Sequence, residues 1–162
     1  MYEFRVGQGF DIHPFAEGRR LVLGGIEIKH DRGLAGHSDA DVLTHAIMDA
    51  LLGAVGLGDI GRHFPDTDAG YRDINSLVLL KDVCGKVTGR GWRIANIDAT
   101  VIAERPKIAS AMARMQERLA EAAGIEPDQI NIKATTAEKL GFVGREEGIA
   151  ALAVALIYKS HA

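Results

Sequence analysis

A single cysteine, Cys84, stands among 162 residues, so no internal disulfide can form and a reducing, cytoplasmic setting is expected. It lies in Leu77-Val78-Leu79-Leu80-Lys81-Asp82-Val83-Cys84, an amphipathic stretch where it reads as a small core residue rather than a nucleophile. No apolar run approaches the roughly 18 residues of a membrane helix. The longest, residues 149–158, is rich in Ala with Leu, Ile and Val, and reads as a strand. The opening Met1-Tyr2-Glu3-Phe4-Arg5 lacks the apolar core of a secretory signal. Basic residues are not in excess: the net charge is −3, which provides no electrostatic footprint for nucleic acid. Repeats, linkers, a Ser-His-Asp set and an activated thiol are all missing.

What is present fits one α+β domain over residues 1–162, a mixed sheet with helices on one face. Strands are expected over 4–12, over 20–28 as two short strands about Gly24-Gly25, and over 92–103, 129–135 and 149–159. The apolar periodicity predicts helices over 39–55, with Ser38 or Asp39 as N-cap and Gly56 as stop, and over 74–88. A third helix is expected over 106–123, with Pro106 in its first turn and Gly124 closing it, and a short one over 136–140. Residues 58–73, rich in Gly, Asp and Pro, read as a loop, either a plain surface connection or a cover for substrate. The last strand is apolar on both faces, Leu152, Val154, Leu156 and Tyr158 on one and Ala151, Ala153, Ala155 and Ile157 on the other. Both faces are therefore expected to be covered, one by the chain's own helices and the other by a neighbouring subunit or by more of the same chain.

Three residues carry the chemistry. Asp11 and His13, in Gly9-Phe10-Asp11-Ile12-His13, are two apart on a strand and share a face. His45 falls in the helix over 39–55. One carboxylate and two imidazoles suit zinc, and three protein ligands leave a fourth position open, the pattern of a catalytic ion. Asp-x-His also occurs often by chance, so spacing alone does not decide the matter. Asp41, His45 and Asp49, spaced by fours, share a helix face, so Asp41 or Asp49 is placed to orient His45. Helix capping and an acidic first turn account for Asp39 and Asp41 without any metal. Lys133-Ala134-Thr135-Thr136-Ala137-Glu138 runs from a strand into a helix start, where hydroxyls and backbone N–H groups suit a phosphate or simply cap the helix.

Gly-Phe-Asp-x-His, Gly-His-Ser-Asp-Ala-Asp-Val, Leu-Gly-Asp-Ile-Gly, Phe-Pro-Asp-Thr-Asp and Lys-Ala-Thr-Thr-x-Glu-Lys-Leu-Gly-Phe follow one another over nearly the whole chain. In that order they closely resemble the 2-C-methyl-D-erythritol 2,4-cyclodiphosphate synthase family of the non-mevalonate isoprenoid pathway. The resemblance implies a homotrimer with its sheets around the threefold axis and its active sites between subunits. It implies cyclisation of 4-diphosphocytidyl-2-C-methyl-D-erythritol 2-phosphate with release of CMP. Matched by motif, Asp11, His13 and His45 are the zinc ligands and Glu138 helps hold a second ion, magnesium or manganese. His37 and Ser38 lie near the methylerythritol phosphates, Asp66 and Ser76 belong to a covering loop and its far end, and Asp59 meets the ribose. Ala103, Pro106, Lys107, Ala134, Thr135 and Thr136 form the cytidine diphosphate pocket, where Ile108 and Ala109 depart from the family's pattern. Phe142 and Arg145 match residues facing an axial channel for an isoprenoid diphosphate, unless Arg145 pairs with Glu146 or Glu147. Two other functions compete: a metal-dependent phosphohydrolase, and a zinc-stabilised scaffold that binds nucleotide or isoprenoid diphosphate.

Overall fold

The computed structural model describes residues 1–160. Strand β1 (Tyr2–Ala16) is followed by the hairpin β2 (Leu21–Leu23) and β3 (Ile26–Ile28), and by the short β4 (Gly33–Leu34). Helix α1 (Val42–Ala54), the four-residue α2 (Ile60–His63) and α3 (Ser76–Thr88) come next, then β5 (Arg93–Ile102), α4 (Met112–Ala123), β6 (Ile130–Thr135), the one-turn α5 (Gly141–Gly144) and β7 (Gly148–Ser160). Five strands form one mixed sheet in the order β4-β1-β7-β5-β6. Only β5 and β6 run parallel, and α4 lies in the crossover connection that a parallel pair needs. β2 and β3 pair apart from it.

The helices cover one face of the sheet. In the middle of β1 and β7 that face carries only glycine and alanine: Gly7 lies opposite Ala155 and Gly9 opposite Ala153. Helix α1 meets it with Ala46, Ala50 and Ala54. A Cβ added at Gly7 would stand 1.9 Å from the Ala50 carbonyl oxygen, and one at Gly9 1.9 Å from that of Ala46. The backbones touch because neither glycine has a side chain to hold them apart. Larger residues on the rest of α1, among them Leu43, Ile47, Leu51 and Leu52, fill the core against α3. Cys84 is buried in this core and burial pushes its thiol up to about 12, as expected of a packing residue.

Several expected boundaries move. β1 runs past both ends of 4–12, because its 13-residue ladder with β7 extends from Tyr2 to Pro14. The N-cap of α1 is Asp41 rather than Ser38 or Asp39. Its fully buried carboxylate accepts from the N–H and hydroxyl of Thr44 and from the N–H groups of Gly24 and Gly25 in the β2–β3 turn. Burial, with Asp39 nearby, pushes the Asp41 carboxyl above the usual range. Loop 58–73 contains α2 and a 3₁₀ turn at Ala69–Tyr71. Helix α4 starts only at Met112, after an irregular stretch and a 3₁₀ turn at Ala109–Ala111, because the buried Ile108 must turn into the core first. Residues 136–140 are not helical: Glu138 and Lys139 adopt left-handed φ values of 51° and 63°, and the helical turn follows at α5. In β5 the buried Ile94 and Ile97 are three apart, and the register slips by one residue between Ile94 and Asn96 to keep both on the core face.

Among the described residues, nothing covers much of the opposite sheet face. Val6 is 67% exposed, Phe10 50% and Val154 45%. So the expected burial of both faces of β7 is met on the Ala151, Ala153 and Ala155 side, while Val154 stays open.

Replacing Gly9 by Ala is expected to cost upwards of about 3 kcal/mol, since α1 must lift off β1 to admit the methyl group. Gly53→Ala is the control: it lies in the exposed last turn of α1, its Cβ would meet only the Gln8 carbonyl at 3.9 Å, and a helical Ala in place of Gly adds up to roughly 0.5–1 kcal/mol. Urea unfolding should separate the two variants in opposite directions from wild type. Coinciding midpoints would refute the close-contact account.

Candidate active site

Asp11 and His13 point from the helix side of β1 just beyond the glycine seam, and α1 carries His45 next to Ala46, which touches that seam. The helix and strand therefore set the three side chains against one another. His13 Nε2 is 3.1 Å from His45 Nδ1, and each of these nitrogens is 3.0 Å from Asp11 Oδ2.

The far sides of both rings fix their tautomers. His13 Nδ1–H donates to the Ala35 carbonyl at 2.6 Å, leaving Nε2 with a lone pair. His45 Nε2 meets the hydroxyls of Ser38 at 3.1 Å and Ser76 at 3.0 Å. Ser76 gives its own hydrogen to Asp39 Oδ1, so it accepts from His45 Nε2–H. The lone pair of His45 is then on Nδ1. Neither Asp41 nor Asp49 orients His45: Asp41 holds the β2–β3 turn, and Asp49 accepts from the Ile60 N–H. Ser38, Ser76 and, behind Ser76, Asp39 take that role.

Three acceptor atoms thus converge with no donor among them, an arrangement that calls for a cation. Tetrahedral ligands about 2.0–2.1 Å from one ion stand about 3.3 Å apart, close to the spacing here. Among the described residues, Asp11, His13 and His45 are the group whose donor atoms lie close enough together to hold a metal ion. Burial alone would push the Asp11 carboxyl up, yet without a metal an imidazole that takes up a proton on the side facing Asp11 donates to it, and such hydrogen bonds and charge hold the carboxyl well below the usual carboxylate range. For His13, burial opposes the charged form, but the hydrogen bond and charge of Asp11 outweigh it and raise its pKa.

The triad lies in the wall of a cleft of about 530 Å³, together with His37, Ser38 and Asp66. Loop 58–73 supplies much of the opposite wall through Ile60, Phe64, Pro65, Thr67 and Tyr71. His37 Nε2–H donates to the Asp68 carbonyl at 2.9 Å, tying the His37–Ser38 segment to that loop. Ser76 is fully buried behind His45 rather than in the cleft wall. Asp59 is exposed and caps α2 through the Arg62 N–H. Met48, Ile60, Phe64, Tyr71 and Leu79 were not singled out from sequence. The two aromatics in a polar loop were the available signal.

A second pocket, of about 240 Å³, is lined by Ala103, Pro106, Lys107, Ala134, Thr135 and Thr136, all six of the residues matched by motif, with Ile108, Ala109 and Met112 beside them. No residue lines both pockets. Glu138 sits next to the second one, its carboxylate accepting from the Thr136 hydroxyl at 2.7 Å. Phe142 is partly exposed on α5, and Arg145 pairs with Glu147 at 2.7 Å.

The profile of the YgbB family matches residues 4–158. The chain belongs to the YgbB family. A relative from Thiobacillus denitrificans, named 2-C-methyl-D-erythritol 2,4-cyclodiphosphate synthase, is 60% identical and covers 97% of this chain and 98% of its own. The bifunctional IspDF structure from Campylobacter jejuni superposes with a TM-score of 0.95 at 45% identity, over 99% of this chain and 43% of that one. The Plasmodium falciparum IspF CDP complex superposes at 0.85 with 34% identity, over 98% and 97%. The match thus accounts for less than half of the bifunctional protein's length.

His45→Ala is expected to abolish tight binding of one zinc ion per chain, and Ser76→Ala to weaken it roughly 10–100-fold. A proton on His13 must leave before a metal binds. Its raised pKa means that affinity declines as pH is lowered, starting above the ~6.5 of a free imidazole. Chelator competition across pH 5–8 reads both effects, and pH-independent affinity would contradict the assignment.

Proposed function

We propose that this chain is a 2-C-methyl-D-erythritol 2,4-cyclodiphosphate synthase, a phosphorus–oxygen lyase of the non-mevalonate isoprenoid pathway. It converts 4-diphosphocytidyl-2-C-methyl-D-erythritol 2-phosphate to the cyclic diphosphate and releases CMP. The observation that carries this is the donor triad set into a cleft, in a chain 60% identical to a synthase over nearly the whole length of both. Residues 1–162 act as a single catalytic domain, placed in the cytoplasm.

The reaction needs no protein nucleophile. An oxygen of the 2-phosphate bonds to the β-phosphorus, the bond from that phosphorus to the CMP oxygen breaks, and CMP leaves with the electron pair. The protein's task is to fold the substrate so that attacking and leaving oxygens are in line. Zinc on Asp11, His13 and His45, and magnesium or manganese helped by Glu138, supply positive charge to the diphosphate when bound. His37 and Ser38 hold the methylerythritol phosphates, and Asp66 with the rest of loop 58–73 keeps water from competing with the internal phosphate. Ala103, Pro106, Lys107, Ala134, Thr135 and Thr136 hold the cytidine diphosphate, with Asp59 at the ribose. The named CDP complex of the Plasmodium relative supports this choice of ligand.

Two observations support a trimeric assembly. The cleft and the second pocket share no residue, and the sheet face bearing Val6, Phe10 and Val154 is apolar and open. A homotrimer that packs these faces together covers them and joins the cleft of one subunit to the nucleotide pocket of the next. An isoprenoid diphosphate on the threefold axis would have to draw Arg145 away from Glu147.

Phosphorus NMR of the purified protein with zinc, magnesium and substrate should show a cyclic diphosphate together with CMP. An open monophosphate or free phosphate as main product would favour hydrolysis instead. Mixed trimers of His45→Ala and Thr136→Ala chains should regain part of the activity that each lacks alone. Verified mixed trimers without any rescue would overturn the shared site.

A further inference from the structure

We infer that Glu104 is a positioning residue for the nucleotide end of the site: a single oxygen of its carboxylate holds the 136–139 turn in the shape that presents Thr136 and Glu138. The inference rests on the functional reading above. Glu104 follows β5 and does not line the second pocket. Its Oε1 accepts from the Ala137 N–H at 3.1 Å and from the Lys139 N–H at 2.9 Å. The two N–H groups flank Glu138, so the contact spans the turn.

That turn does not take the conformation its own residues favour. Thr136 to Leu140 read as the start of a right-handed helix, yet Glu138 and Lys139 adopt φ of 51° and 63°. In a left-handed non-glycine residue the Cβ crowds the following carbonyl oxygen, so surrounding contacts must over-determine the conformation. Glu104 supplies such contacts from one side. From the other side Gly144 does, since a Cβ there would lie 2.1 Å from the Lys139 carbonyl carbon. Held this way, Thr136 donates its hydroxyl to Glu138 Oε1 at 2.7 Å and accepts from the Glu138 N–H at 3.3 Å. The hydroxyl that lines the pocket and the carboxylate assigned to the second ion thus share one anchor. Because both N–H groups meet the same oxygen, the tether needs an acceptor at that point and no charge. A glutamine carbonyl can serve; a shortened or absent side chain cannot.

The test compares Glu104→Ala, Glu104→Asp and Glu104→Gln with wild type by calorimetric titration with CDP in magnesium, amide exchange at Ala137 and Lys139, and zinc content. The Ala and Asp variants should lose roughly tenfold or more in CDP affinity and exchange both amides faster, with zinc content unchanged. Glu104→Gln should restore both properties. Wild-type affinity and slow exchange in the Ala or Asp variants would overturn the inference, as would a folded Gln variant that behaves like Ala. A wild-type protein that binds no CDP would strike the functional reading instead, and amide exchange would still decide whether Glu104 holds the turn.

Discussion

The contact between β1 and α1 governs the rest of the structure. Gly7 and Gly9 on the strand face Ala46, Ala50 and Ala54 on the helix, and the two backbones meet with no side chain between them. Close approach removes the slack with which a helix normally settles on a sheet. Interiors packed this tightly transmit small displacements rather than absorbing them. His45 precedes Ala46, and Asp11 follows Gly9 by two residues, so the seam sets the distance between them directly. A helix standing an ångström or two further out would separate His45 from Asp11 and His13 by more than one ion can bridge.

Holding three acceptors together has an electrostatic cost that the surroundings offset. The Ala35 carbonyl accepts from His13 Nδ1–H, and Ser76, itself donating to Asp39, accepts from His45 Nε2–H. Each ring then turns its lone pair toward Asp11. In the apoprotein a proton can relieve the crowding, consistent with the raised pKa of His13 and the depressed one of Asp11. A divalent ion relieves it more fully, and binding it releases that proton. Asp41, a few residues away, illustrates the contrast: four donors surround its carboxylate, which leaves it a structural anchor for the β2–β3 turn and no ligand.

Much of this was legible in the residues themselves. Asp11 and His13 share a face because strand side chains alternate, whatever else the chain does. Gly56 after an apolar period marked the end of α1, and the Gly24-Gly25 pair marked a hairpin. The order of five short motifs identified the family, and all six residues matched to the nucleotide pocket line one cavity. Local signals failed where distant contacts prevail. The capping pattern near Ser38 was real, but Asp41 became the cap because the β2–β3 turn needs its carboxylate, and Ser38 faces His45 instead. The helical pattern of 136–140 yielded to Glu104, which lies more than 30 residues earlier.

By itself, then, the sequence determined the alternation of strands and helices, the facing of Asp11 with His13, and membership of the family, because each depends on neighbours a few residues apart or on motif order. Only the tertiary structure decided that His45 comes within 3.0 Å of Asp11, that Ser76 rather than Asp49 orients it, and that Arg145 pairs with Glu147. It alone revealed that one sheet face is sealed by α1 while the other, with Val6 and Phe10, is left open. Those outcomes rest on pairs of residues far apart along the chain. Their distances are set by how closely backbones can pack, and for β1 and α1 the limit comes from the missing Cβ atoms of Gly7 and Gly9.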